Sequence, residues 1–105
     1  MADNIYILPE NTSKDFEIFQ SLYLNENVTI ERIISNGQRT PDNQWLEQDK
    51  DEWVILIQGE AELRFENEYK VFLNKGDYLF IPKNTKHRVE MTGTDPSCIW
   101  LAFHF

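Results

Sequence analysis

Glu52-Trp53-Val54-Ile55-Leu56-Ile57-Gln58-Gly59-Glu60-Ala61-Glu62-Leu63-Arg64-Phe65 carries two strand signatures in succession. Residues 52–57 are apolar in both phases. Val54 and Leu56 share one side with Glu52, and Trp53, Ile55 and Ile57 share the other. A strand buried on both faces must be covered twice. Gln58-Gly59-Glu60 then turns the chain. Ala61, Leu63 and Phe65 alternate with Glu62, Arg64 and Glu66, which marks a half-buried strand with one wet face. Glu66-Asn67-Glu68 turns again, and Tyr69, Val71 and Leu73 repeat the alternation.

Downstream, Asn74-Lys75-Gly76-Asp77 is a turn, and residues 78–81 form a short apolar strand stopped by Pro82. After a polar loop at 83–86, His87, Val89 and Met91 fall on one face, with Arg88, Glu90 and Thr92 on the other. Residues 93–97 turn once more and 98–105 read as a last strand. Upstream, residues 5–8 are a short apolar run stopped by Pro9, and Asn11 to Lys14 are polar. Residues 16–24 and 28–35 read as strands around the tight turn Asn25-Glu26-Asn27. Residues 38–50 have no period and read as a long irregular segment. Nine or ten short strands with no helix predict an all-β chain closed into an antiparallel barrel. The expected organisation is one domain over residues 1–105, with an N-terminal arm at 1–27 and the barrel at 28–105.

Composition narrows the function. Ten Lys and Arg against eighteen Asp and Glu give a formal charge of −8, which disfavours nucleic acid and anionic membrane surfaces as partners. Cys98 is the single cysteine, so no intrachain disulfide forms and a reducing compartment is expected. The start has no basic region followed by a long apolar run. The expected location is therefore the cytoplasm. There is no glycine-rich phosphate loop and no paired-cysteine zinc pattern. The double-faced strand at 52–57 needs an outer cover, a partner subunit or the N-terminal segment, and a homodimer is the expectation.

Two residues stand out for chemistry. His87 is in phase with Val89 and Met91, so its imidazole points inward, either as a core histidine bonded to backbone or as a ligand or acid/base group. Glu52 is in phase with Val54 and Leu56. A carboxylate on that face needs a partner, unless it opens the strand in solvent.

The stretch Asp51 to Glu60, with Glu52 seven positions before Gly59, resembles the end of the first cupin motif. Gly76-Asp77-Tyr78-Leu79-Phe80-Ile81-Pro82 followed by His87-Arg88-Val89 resembles the second. The resemblance covers residues 37–89. It implies a double-stranded antiparallel jelly-roll barrel, and it places Glu52 and His87 at two of the usual four metal-ligand positions. The other two would be His-x-His just before the Glu, where this chain has Trp45-Leu46-Glu47-Gln48. Glu52, His87 and one of Glu47 or Gln48 would make an oxygen-rich set for one divalent ion (manganese, iron, zinc or nickel). The alternative is no metal.

The segment 45–53 with the C-terminal Trp-Leu-Ala-Phe-His-Phe also resembles a group of small bacterial cupins. His104 shares a strand phase with Trp100 and Ala102, and is either a rim residue or a further site residue. Arg32 alternates with Val28, Ile30 and Ile34. If that phase is inward it is a fork for a carboxylate ligand; otherwise Glu31 faces the cavity. Trp45, Tyr78 and Trp100 are candidate aromatic walls. The leading expectation is a barrel that binds a small polar metabolite, with a metal-dependent enzyme as one form of it. The alternatives are a metal-free binding or sensing module and an acid/base isomerase using His87 as catalytic group.

Overall fold

The computed structural model describes residues 1–10 and 15–105; the polar stretch 11–14 lies outside the described residues. Eight strands follow one another in the described chain: β1 (Ile18–Leu24), β2 (Thr29–Ser35), β3 (Glu52–Gln58), β4 (Ala61–Phe65), β5 (Lys70–Leu73), β6 (Tyr78–Ile81), β7 (His87–Thr92) and β8 (Cys98–His104). They form a five-stranded sheet in the order β1-β2-β8-β3-β6 and a three-stranded sheet in the order β5-β4-β7. Every pairing is antiparallel. This is an all-β jelly roll, and none of the described residues forms a helix able to cross a membrane.

The inner faces meet in a core of Val54, Leu56, Ala61, Leu63, Leu73, Ile81, Cys98, Trp100 and Ala102. Each fully buried aliphatic side chain there contributes roughly 1.5–3 kcal/mol. That apolar frame holds the few polar groups embedded in it. Glu52, Val54 and Leu56 are buried together, as the strand phase predicts. The turn from β3 to β4 requires Gly59, whose φ is +94° and whose added Cβ would lie 2.9 Å from Cys98 Sγ. Any side chain there meets both backbone strain and a clash.

The structure departs from the strand phase at Met91 and decides between Arg32 and Glu31 in β2. Met91 is not inward. A bulge in β7 sets Glu62 opposite Met91 but Leu63 opposite Val89, so the extra residue Glu90 switches the faces. Thr92 takes the buried place, and its hydroxyl donates to the Gln38 carbonyl at 2.6 Å. In β2 the inward residues are Glu31, Ile33 and Ser35, not the set containing Arg32. Residues 5–8 form no strand. The Asn4 side chain accepts from the Tyr6 amide at 2.8 Å and starts a turn. The carbonyls of Ile5 and Ile7 are taken by the Arg32 guanidinium at 3.0 and 2.8 Å, not by a neighbouring strand.

The irregular segment 38–50 is held by side chains. The buried Arg88 donates to the carbonyls of Thr40, Pro41 and Gln44 at 2.9, 3.2 and 3.0 Å. Leu46 and His87 exchange backbone hydrogen bonds at 2.7 and 3.0 Å. The segment therefore forms the wall beside β7 and delivers Leu46, Glu47 and Gln48 to the barrel mouth.

Candidate functional site

Between the sheets lies a cavity of about 250 Å³. Its walls come from inward positions on six strands: Glu31 and Ile33, Glu52 and Val54, Leu63, Ile81, His87 and Val89, and Trp100 and His104. Glu17, Phe19, Leu46, Glu47 and Gln48 line it from outside those strands' inner faces. Phe19, Leu46 and Glu47 are exposed, so they mark its mouth. Most of the lining is apolar, and the polar groups are carboxylates, imidazoles and the Gln48 carboxamide.

Glu52 opens β3 opposite His104 on one side and Ile81 on the other. Only 8% of it is exposed. The Gln48 side-chain amide donates to its Oε1 at 2.7 Å. Burial pushes the Glu52 carboxyl above its usual value. His104, His87 and the Gln48 hydrogen bond pull it part of the way back, and the neighbouring Glu31 pushes it up further. A carboxyl so placed is able to hold a proton that an exposed glutamate would release.

His104 Nε2 lies 3.2 Å from Glu31 Oε1. Its Nδ1 is buried and has no hydrogen-bond partner among the described residues. His87 is 6% exposed. Its Nδ1 lies 3.0 Å from the Thr85 carbonyl, and a carbonyl only accepts. Nδ1 therefore carries a proton, and in the neutral ring Nε2 is the lone-pair nitrogen. The Phe65 ring stands beside the imidazole, 6.1 Å between centroids. Trp100 Nε1 donates to Ser35 Oγ at 3.1 Å, and that hydroxyl donates to Glu17 Oε2 at 2.6 Å. This chain fixes the indole face in the wall and ties β1's approach to the cavity.

The structure thus brings Glu52, His87, Gln48, Glu47, Trp100 and His104 around one cavity. It does not bring Arg32, Trp45 or Tyr78 there. Arg32 lies on the outer face, bonded to Gln20 at 2.7 Å and to the N-terminal arm. Trp45 packs outside against two guanidiniums, 5.3 Å from Arg64 and 6.0 Å from Arg88. Tyr78 is 63% exposed, because β6 turns it outward against Trp53, 5.1 Å between ring centroids. Glu17 and Phe19 were missed. The sequence of β2 leaves Glu31 and Arg32 as alternatives, since consecutive Ile33 and Ile34 make both of its phases apolar.

The metal expectation meets a donor set that does not fit it. Among the described residues no three His, Cys, Asp or Glu side chains converge as ion ligands. Glu47 is exposed at the mouth. Gln48 donates its NH₂ to Glu52 Oε1, so these two candidate ligands are paired with each other. A divalent transition ion prefers three or more converging ligands, with imidazole prominent among them.

Comparison with known proteins bears on the same residues. The family profile for the cupin domain matches residues 32–104. A solved structure from Ralstonia eutropha JMP134, which carries the provisional name mannose-6-phosphate isomerase, is 35% identical, covers 99% of this chain and 96% of its own, and superposes with a TM-score of 0.90. A cupin superfamily protein from Desulfitobacterium hafniense DCB-2 shares the fold at 20% identity, covering 90% and 82% of the two chains, with a TM-score of 0.74. An RmlC-like cupin family protein from Methanocaldococcus jannaschii does so at 20% identity over 99% and 91%, with a TM-score of 0.72. No curated protein matches the chain.

Proposed function

This chain belongs to the cupin domain family, and on that footing we propose that its barrel binds a small polar metabolite in the cavity around Glu52 without relying on a metal. The observation that carries the reading is the burial of the Glu52 carboxyl in a mostly apolar wall, near histidines at 87 and 104. Burying a carboxyl costs several kcal/mol unless something on the cavity side compensates. One hydrogen bond from Gln48 is a small return for that cost.

Native mass spectrometry of protein purified by gentle exchange tests this. The wild type is expected to carry a low-mass adduct, or to gain one from a panel of metabolites, and His87→Ala is expected to lose it. A wild type without an adduct, and without a thermal shift from any panel member, overturns the reading.

One observation favours a second reading, an acid/base isomerase. Glu52, with its raised carboxyl, and His87, with a free lone pair at Nε2, line the same cavity. That arrangement suits proton transfer between neighbouring carbons of a bound substrate. The provisional isomerase name of the 35% identical relative agrees with it. Cytoplasmic residence is part of the proposal, supported by the single cysteine, Cys98, being a buried free thiol.

A homodimer is proposed as well. Tyr78, Phe80 and Phe105 are exposed on the outer side of the five-stranded sheet. Trp53 meets Tyr78 and Phe103, and Phe80 meets Phe105 at 6.4 Å. Contiguous apolar patches of this kind are uncommon on monomers. Light scattering at micromolar concentration is expected to give twice the chain mass, and Phe80→Lys to shift it to the monomer. A monodisperse wild-type monomer would sink the dimer.

A further inference from the structure

We propose that the ligand of this cavity is a small organic cation, a protonated amine with an apolar body, and not a phosphorylated or carboxylated metabolite. The inference rests on the small-molecule reading above and adds the charge of what is bound.

The first observation is the sign of the lining. Glu17, Glu31, Glu47 and Glu52 all reach the cavity, and no Lys or Arg is among its lining residues. The three arginines next in sequence to lining residues are committed elsewhere, Arg64 to Glu90 and the Trp45 ring. Arg88 is spent on the carbonyls of residues 40, 41 and 44, and Arg32 on the N-terminal arm. A phosphate or carboxylate entering here would meet carboxylates with no cation to receive it. Low-dielectric walls strengthen that repulsion.

The second observation is independent of charge. His87, more than nine-tenths buried, lines the cavity with its Nδ1 proton tied to the Thr85 carbonyl. Its Nε2 lone pair has no partner among the described residues. The Gln48 amide is turned to Glu52, and the Trp100 indole N–H is turned to Ser35. These donors are thus already used, and His104, which turns its Nε2 to Glu31, leaves an Nδ1 unpartnered among the described residues, so what the cavity offers is mainly acceptors. A ligand must supply the donors. An ammonium group has three N–H bonds and a positive charge, which match a ring of carboxylate oxygens and one imidazole nitrogen. The remaining wall, with Ile33, Val54, Leu63 and the Trp100 face, suits an aliphatic body, and indole favours a nearby cation. The volume, about 250 Å³, holds roughly eight water-sized groups, so the body is short.

The test uses a matched series: n-butylammonium, n-butanol, n-butyrate and mannose 6-phosphate, each titrated into the isotope-labelled full chain. Nuclear magnetic resonance reads the Trp100 indole N–H and the His87 ring signals. Butylammonium is expected to move both, with an affinity at least tenfold above that of butanol, while butyrate and mannose 6-phosphate move neither. Glu31→Gln, which keeps an acceptor for His104, is expected to weaken the amine about tenfold. The wild-type series decides the matter even if that variant folds poorly. If butanol, butyrate or mannose 6-phosphate binds as well as the amine, the charge assignment is wrong and the small-molecule reading survives. If none of the four moves the cavity signals, both fall. Manganese(II) alone broadening the His87 signals at a lower concentration than the amine needs would also overturn it, in favour of a metal site.

Discussion

Replacing Arg88 by methionine is expected to lower the folding free energy by about 3–5 kcal/mol. The side chain is 4% exposed, and Glu90 Oε1 lies 2.6 Å from its Nε. Methionine fills most of the same volume, so little of the loss comes from a void. The loss comes from stranded partners. The carbonyls of Thr40 and Gln44 lose their donor, the Pro41 carbonyl keeps only the Gln44 amide at 3.2 Å, and Glu90 loses its nearest cation. Arg64 stays 3.5 Å from Glu90 and 5.3 Å from the Trp45 ring, which sets the lower end of the range. Urea unfolding measures the total. Amide exchange locates it: the Leu46 amide, which donates to the His87 carbonyl, is expected to lose protection ahead of β3. The consequence reaches the cavity, since Gln48 rides on the same segment and holds Glu52. A loss under about 1 kcal/mol would show that the backbone exchange at Leu46 and His87 suffices by itself.

That dependence on Arg88 explains which parts of the molecule the sequence discloses. Alternation in 61–65 and the double-faced run in 52–57 place β3, β4 and the inward Glu52, because period two is a local property of the chain. His87 and the set Trp100, Ala102 and His104 follow by the same rule. The rule fails where something nonlocal enters. The bulge at Glu90 turns Met91 outward, and no residue type there announces it. In β2, Ile33 and Ile34 satisfy both phases, so only the finished barrel decides for Glu31. Trp45 has the composition of a cavity wall, yet two guanidiniums from β4 and β7 claim its ring. Tyr78 faces out because it alternates with the inward Leu79 and Ile81 of β6, in a run that is apolar in both phases and so hides the choice. Glu17 reaches the cavity through Ser35, a tertiary contact that no spacing along the chain encodes.

Glu52→Gln is expected to raise stability at neutral pH while abolishing amine binding. Burial holds the Glu52 carboxyl above its unfolded value. Between the two values the folded chain therefore binds more protons than the unfolded one. The sign follows: the contribution of Glu52 is fully present below the unfolded value and is lost as pH rises through the folded value. Glutamine imitates the protonated acid and still accepts from Gln48, so the variant lacks that loss. The variant is therefore the more stable of the two at pH 7, and its excess shrinks as pH falls. Below pH 4 the two proteins should converge. His87, His104 and Glu31 face the same group, and the difference between wild type and variant, measured by urea unfolding from pH 4 to pH 8, isolates Glu52 from them. A more stable variant that no longer binds butylammonium means that the carboxylate is kept against stability for the sake of the ligand. A variant less stable than wild type at every pH means instead that Glu52 is there for its contacts with Gln48 and the histidines, and the cavity's charge would then have to be explained by Glu31 and the mouth.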